Sequence, residues 1–98
     1  MRVISFAKIK AYFTKHANAR VSLQEWNQKT KKADWEDFTD IKKTFNSVDN
    51  VGNDRYVFNI GGNNYRLVAL IIFKMKKVFV RWIGTHAEYD KLKDIDKL

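Results

Sequence analysis

The chain has 98 residues, 45% of them hydrophobic, with a net charge of +8 and a pI near 9.8. That length suits one domain over residues 1–98, and the three Trp, four Tyr and seven Phe supply a real core, so general disorder is excluded. There is no cysteine, which excludes disulfides and thiolate metal sites. The first twenty residues lack the apolar stretch of a signal peptide, and no run approaches the ~20 apolar residues of a membrane span. A cytoplasmic location and no membrane partner are expected.

The positive charge is unevenly placed. Between Arg55 and Ala87 there is no Asp or Glu, whereas Arg55, Arg66, Lys74, Lys76, Lys77 and Arg81 are all cationic. Acids gather instead at Asp34, Glu36, Asp37 and Asp40. A basic field free of acids is what binding a polyanion requires.

In chain order, residues 2–5 form a short strand candidate. Phe6, Ile9 and Phe13 then recur at helical spacing, with Ser5 as N-cap and Asn18 as a left-handed stop. A second helix spans residues 21–32, with Ser22 and Glu25 as a capping box and Lys29, Lys31 and Lys32 in its last turn. Asp34 caps a third helix whose stripe is Trp35, Phe38, Ile41 and Phe45. These three helices are structural, since a stripe of Trp and Phe belongs to a core. Residues 46–54 read as a polar loop.

The sheet follows. Residues 56–60 and 65–73 flank GGNN, a tight-turn sequence whose two-residue turn at Gly62-Asn63 pairs Ile60 with Tyr65 and Asn59 with Arg66. A second turn at Met75-Lys76 pairs Leu70 with Arg81 and Arg66 with Thr85. This register collects Tyr56, Phe58, Ile60, Leu67, Ala69, Ile71, Phe73, Val78, Val80 and Trp82 on the core face. The opposite face carries Arg55, Asn59, Arg66 and Arg81 beside Val57, Val68, Leu70, Ile72, Phe79 and Ile83. So large an apolar patch needs a cover, whether RNA bases, a partner protein or the C-terminal helix.

Thr85-His86-Ala87-Glu88 is a second capping box, with Thr85 as N-cap and Glu88 three residues on. His86 therefore opens a helix, and Tyr89 lies on the same face of it. With Arg66 opposite Thr85, a guanidinium, an imidazole and a phenol converge on a helix N-terminus, which favours phosphate. Those parts suit metal-independent RNA cleavage. Imidazole exchanges protons near neutrality, Arg66 and Arg81 bind phosphate oxygens, and Tyr89 donates a hydrogen bond or stacks on a base. No metal set and no cofactor are indicated, because the acids lie elsewhere. These residues alone fit a nuclease, a non-catalytic RNA-binding module or a protein-interaction domain.

The segments YVFNIGGNNYRLVALIIF and VFVRWIGTHAEYDKL resemble the signature of HigB-type toxins, a branch of the RelE-like mRNA interferases of type II toxin–antitoxin modules. The resemblance implies an α+β, RelE-like fold: a small twisted antiparallel sheet of about four strands, N-terminal helices on one face and a short C-terminal helix. It also implies cleavage of mRNA on the ribosome, inhibition by a HigA-type helix-turn-helix antitoxin, and contact with operator DNA only through the antitoxin complex. Position by position, it makes Arg66, Arg81, His86 and Tyr89 catalytic. From their place on the basic face of the sheet, Arg55 and Asn59 are expected to bind RNA, and Lys76 and Lys77 are candidates to touch RNA, including ribosomal RNA, from the hairpin tip.

Overall fold

The computed structural model describes all 98 residues and is α+β. A first strand, β1 (Arg2–Ile4), leads into α1 (Phe6–Lys15), α2 (Arg20–Lys32) and α3 (Phe38–Thr44). Four strands follow, β2 (Val48–Gly52), β3 (Arg55–Ile60), β4 (Tyr65–Ile72) and β5 (Lys77–Thr85), and then α4 (His86–Asp90) and a closing 3-10 turn, Ile95–Lys97. The sheet order is β1-β5-β4-β3-β2. β2 to β5 pair antiparallel and β1 joins β5 in parallel, so the sheet is mixed and has five strands rather than about four.

The additional strand is β2, inside the stretch read as a loop. It has only Val48 and Val51 as apolar content, and it pairs with β3 through a turn in which Asn53 and Asp54 both take positive φ. Asn and Asp tolerate that region best among residues with a side chain, and it is the backbone a tight hairpin needs.

The helix boundaries differ from expectation at three points. α1 stops at Lys15, where the His16 amide donates to Tyr12 O; Asn18 lies in a following 3-10 turn and not in the left-handed region. That turn runs straight into α2, which starts at Arg20, so Ser22 sits inside the helix and makes no capping box with Glu25. α3 is capped by Asp37, whose carboxylate accepts from the Asp40 amide at 3.1 Å, and not by Asp34. Trp35 lies outside the helix yet stays in the core, with Nε1 donating to Thr44 Oγ1 at 3.0 Å.

The helices pack on one face of the sheet. Trp26, Trp35 and Phe45 surround Phe58 of β3 with ring centroids 5.4 to 6.4 Å apart, and Leu23, Ile41, Leu67, Ile71 and Val78 complete the buried layer. Aromatic rings at such distances add ~0.5–1.5 kcal/mol per pair beyond their burial.

The β3–β4 register is the expected one, with Ile60 opposite Tyr65 and Asn59 opposite Arg66. The β4–β5 register is not. Near the turn Leu70 faces Phe79 and Ala69 faces Val80; then Val68 faces Trp82, and Arg66 faces Gly84 instead of Thr85. Arg81 is the extra residue of a β-bulge. Beyond a bulge every side chain changes face. Ile83 therefore packs against the core, while Trp82 leaves it and lies beside Tyr89, with ring centroids 6.2 Å apart.

The second sheet face is covered by the chain's own C-terminal segment. α4 packs on β4 and β5, and the last turn packs on β2 and β3. Val57 and Val68 of that face are fully buried.

Candidate active site

Thr85 ends β5, and its hydroxyl turns the chain into α4 by accepting from the Glu88 amide at 3.1 Å. Glu88 answers by accepting from the Thr85 amide at 2.8 Å. Both halves of the expected capping box are present. These bonds hold the Glu88 carboxyl below the usual carboxylate range, the backbone amide of Thr85 contributing most. His86 is fixed at the first helical position, and its own amide donates to Asn64 O in the GGNN turn at 3.0 Å. Helix, turn and sheet meet there.

Arg66 of β4 reaches the same point. Arg66 is buried as a residue, with a relative exposure of 8%, and its guanidinium is part-buried. Nη1 donates to Asn63 O at 3.2 Å and Tyr65 O at 3.0 Å. Nη2 donates to Asn63 Oδ1 at 3.1 Å and lies 3.2 Å from His86 Nδ1. Its carbon sits 6.0 Å from the centre of the Tyr89 ring. No carboxylate pairs with it (its partners are all neutral acceptors), and Nε–H is left without one. Burying a cation in this way is costly unless an anion arrives to share the site.

A guanidinium has no lone pair to offer, so the Arg66–His86 bond requires that Nδ1 accept. That places the proton of the neutral ring on the outward Nε2. Asp90, one turn along α4, has Oδ1 3.6 Å from the same Nδ1 and becomes its partner when the ring is protonated. The Tyr89 hydroxyl is held protonated. Burial raises its pKa most, the Asp49 carboxylate adds to the rise, and Arg66 opposes it. Tyr89 therefore keeps its hydroxyl proton at neutral pH.

Of the residues expected at the site, Arg66, His86 and Tyr89 come together, and Asn59 adjoins them as the cross-strand partner of Arg66, its amide donating to Ser47 Oγ. Arg81 is exposed on the bulge, its guanidinium 6.0 Å from the Phe79 ring. Arg55 is turned to another use: Nε and Nη2 donate to Leu98 O at 3.0 and 2.8 Å, and Nη1 to Asn53 O at 2.9 Å. Lys77 starts β5, roughly 26 Å from its far end at ~3.3 Å per residue. Lys76, in the adjoining turn, is bound by Asp34 and Glu36 at 2.9 Å each and by Trp35 O at 3.0 Å. Its pKa is raised, first by the Glu36 bond and then by Asp34.

Two acids border a region expected to hold none. Asp90 was findable, since it stands four residues after His86 on one helix. Asp49 was not, because its strand reads locally as loop. No three His, Cys, Asp or Glu side chains gather closely enough to hold a metal ion.

The chain matches, over residues 19–92, the family model HigB_toxin, the RelE-like toxic component of a toxin-antitoxin system. It is similar to the mRNA interferase HigB of Escherichia coli O6:H1 (strain CFT073), with 36% identity over 94 residues, 94% of this chain and 91% of that protein. The mRNA interferase toxin HigB of Escherichia coli K12 is 44% identical over 52 residues, 51% of this chain and 50% of that protein, and the mRNA interferase HigB of Shigella flexneri matches to the same extent. The family match takes in Arg66, the capped His86 and Tyr89 together, and this chain belongs to the HigB family of RelE-like toxins of toxin–antitoxin systems.

Proposed function

We propose that this toxin is a metal-independent endoribonuclease that cuts mRNA, and that Arg66, His86 and Tyr89 form its active site. The observation that carries the reading is the part-buried Arg66 guanidinium, which has no carboxylate partner and is bonded to an imidazole at a helix N-terminus. A phosphodiester would supply the missing negative charge. In the reaction the 2′-oxygen loses its proton and attacks phosphorus, the bond to the 5′-oxygen breaks, and that oxygen takes a proton. Arg66 steadies the crowded phosphate through Nε–H and its charge. His86 faces the leaving oxygen with Nε2–H, while Asp90 holds Nδ1–H in the protonated ring. Tyr89 stacks or donates, and exposed Arg81 and Asn59 extend the phosphate track along the sheet.

The named activity of the relatives supports the substrate. A ribosome-bound message as target, a helix-turn-helix antitoxin as inhibitor, operator contact through that complex, and a cytoplasmic setting complete the proposal. The test is inducible expression in a bacterial host with RNA-end mapping, comparing the parent with His86→Ala. Growth arrest and new mRNA ends from the parent alone support it. A folded parent that leaves growth and messages untouched overturns it. A substrate with sulfur at the 5′-bridging position probes the role of His86: this better leaving group needs no acid, so it should restore cleavage to His86→Ala.

A further inference from the structure

The first 24 residues contain no acid, but hold Arg2, Lys8, Lys10, Lys15 and Arg20. On α1 and its cap, Lys8, Ala11, Tyr12, Lys15 and His16 fall at helical spacing on one face, and together with Ile83 of β5 they line a groove of about 270 Å³. Tyr12 and His16 are stacked in it, with centroids 4.2 Å apart and planes 18° from parallel. His16, Lys8 and Lys15 are exposed, and neither lysine has a carboxylate partner. The groove has three features that single-stranded nucleic acid uses: an aromatic surface for a base, flanking cations for phosphates, and an apolar wall.

The groove also adjoins the site described above. Tyr12 meets Tyr65 edge to face at 6.2 Å, and Tyr65 is the cross-strand partner of Thr85, the residue before His86. Arg66 and Tyr65 are neighbours on β4, so their side chains leave opposite faces of the sheet. Tyr12 thus lies, through Tyr65, beside the end of β5 from which α4 and His86 start. The carboxylate at that helix start, Glu88, is occupied by the Thr85 amide.

We propose that this groove is a second RNA subsite, in which the Tyr12–His16 stack seats one base of the strand being cut while Lys8 and Lys15 hold the adjoining phosphates. The identity of the ligand rests on the nuclease reading. The test is titration of a fluorescent single-stranded RNA oligonucleotide with the His86→Ala protein, which binds without cutting, across a range of salt concentrations. His16→Ala in that background should weaken binding about tenfold, as loss of a stacking surface does. Lys8→Gln with Lys15→Gln should reduce the salt slope by about 1.4, at ~0.7 per phosphate contact on a single strand. All three side chains are exposed, and thermal melts would show that the variants remain folded. Affinity and salt slope equal to the parent's, or no binding by the parent, would overturn the proposal; unchanged binding would leave the groove to a protein partner. The two readings fail separately. No cuts from the intact toxin, with the binding losses kept, removes the nuclease and leaves the subsite.

Discussion

Arg66 separates function from stability at a single residue. Its neutral acceptors satisfy the four N–H groups of Nη1 and Nη2 but neither Nε–H nor its charge, so the folded protein carries a cation that packing alone would not select. Arg66→Met should therefore abolish cleavage while the melting temperature changes little, because removing the uncompensated charge offsets the loss of the donors to the Asn63 and Tyr65 oxygens. Arg66→Lys keeps the charge but loses the planar fork that reaches both His86 and the Asn63 carbonyl, and should lower cleavage about 10²-fold or more, as removal of a preorganised donor does. Cleavage rates alongside calorimetry check both; a large fall in melting temperature for Arg66→Met would mean that the guanidinium is structural. The convergence of Arg66, His86 and Tyr89 was legible in the sequence because it needs only a hairpin register and a helix start. The helix start is marked locally by Thr85 with Glu88; the β4–β5 register expected to set Arg66 opposite Thr85 is one residue off, and the convergence survives because Arg66 faces the adjacent Gly84.

At the scale of elements, the β5 bulge is what the sequence did not reveal. Nothing in VFVRWIGT marks Arg81 as the extra residue, and a strictly alternating strand sends Trp82 to the core. The bulge sends it to the other face, where its ring lies directly over Gly84: a Cβ there would run into the six-membered ring of Trp82 and touch Glu88 Oε1 at 3.1 Å. Gly84→Ala should thus cost ~1–3 kcal/mol, in the range of an overpacked core site, and should disturb the Trp82–Tyr89 contact, read as a change in tryptophan fluorescence. The α4 cap carries a pH dependence of known sign. Glu88 titrates below its ordinary value of 4.5 in the folded protein, so its contribution is complete above 4.5 and is lost as the pH falls through the lowered value. Protection of the amides of residues 86–90, taken relative to the intrinsic exchange rate at each pH, should fall at pH 3 relative to pH 6 in the parent. In Glu88→Ala it should be low at both. A parent profile that stays flat would mean the carboxylate does not hold the helix.

Over the whole molecule, the layer order was legible and the closure was not. The alternation in β3 and β4 marks one face as core, and Ile9 and Phe13 of α1 with Trp26 of α2 mark what packs on it, although Phe6 of the same stripe stays exposed. What covers the other face depends on contacts across the chain: Arg55 with Leu98, 43 residues apart, and Asn53 Nδ2 with Asp96 Oδ2 at 2.8 Å. No local pattern encodes either. The parallel β1 is held the same way, by β5 and by the terminal amine donating to Ala33 O. These long-range ties give Arg55 two possible roles that one variant separates. If its guanidinium serves the fold, Arg55→Ala frees the last turn from β2 and β3 and leaves Leu98 O and Asn53 O without their donor. The loss is then ~1–3 kcal/mol, the range for hydrogen bonds made by a charged donor, or a fall of several degrees in melting temperature for a domain of this size. Cleavage per folded molecule at low temperature stays at the parent level. If Arg55 binds RNA instead, stability holds while cleavage falls and the salt dependence of RNA binding becomes shallower. Three bonds to two carbonyl oxygens favour the first outcome, because a guanidinium so occupied has to abandon the C-terminal turn before it can take a phosphate.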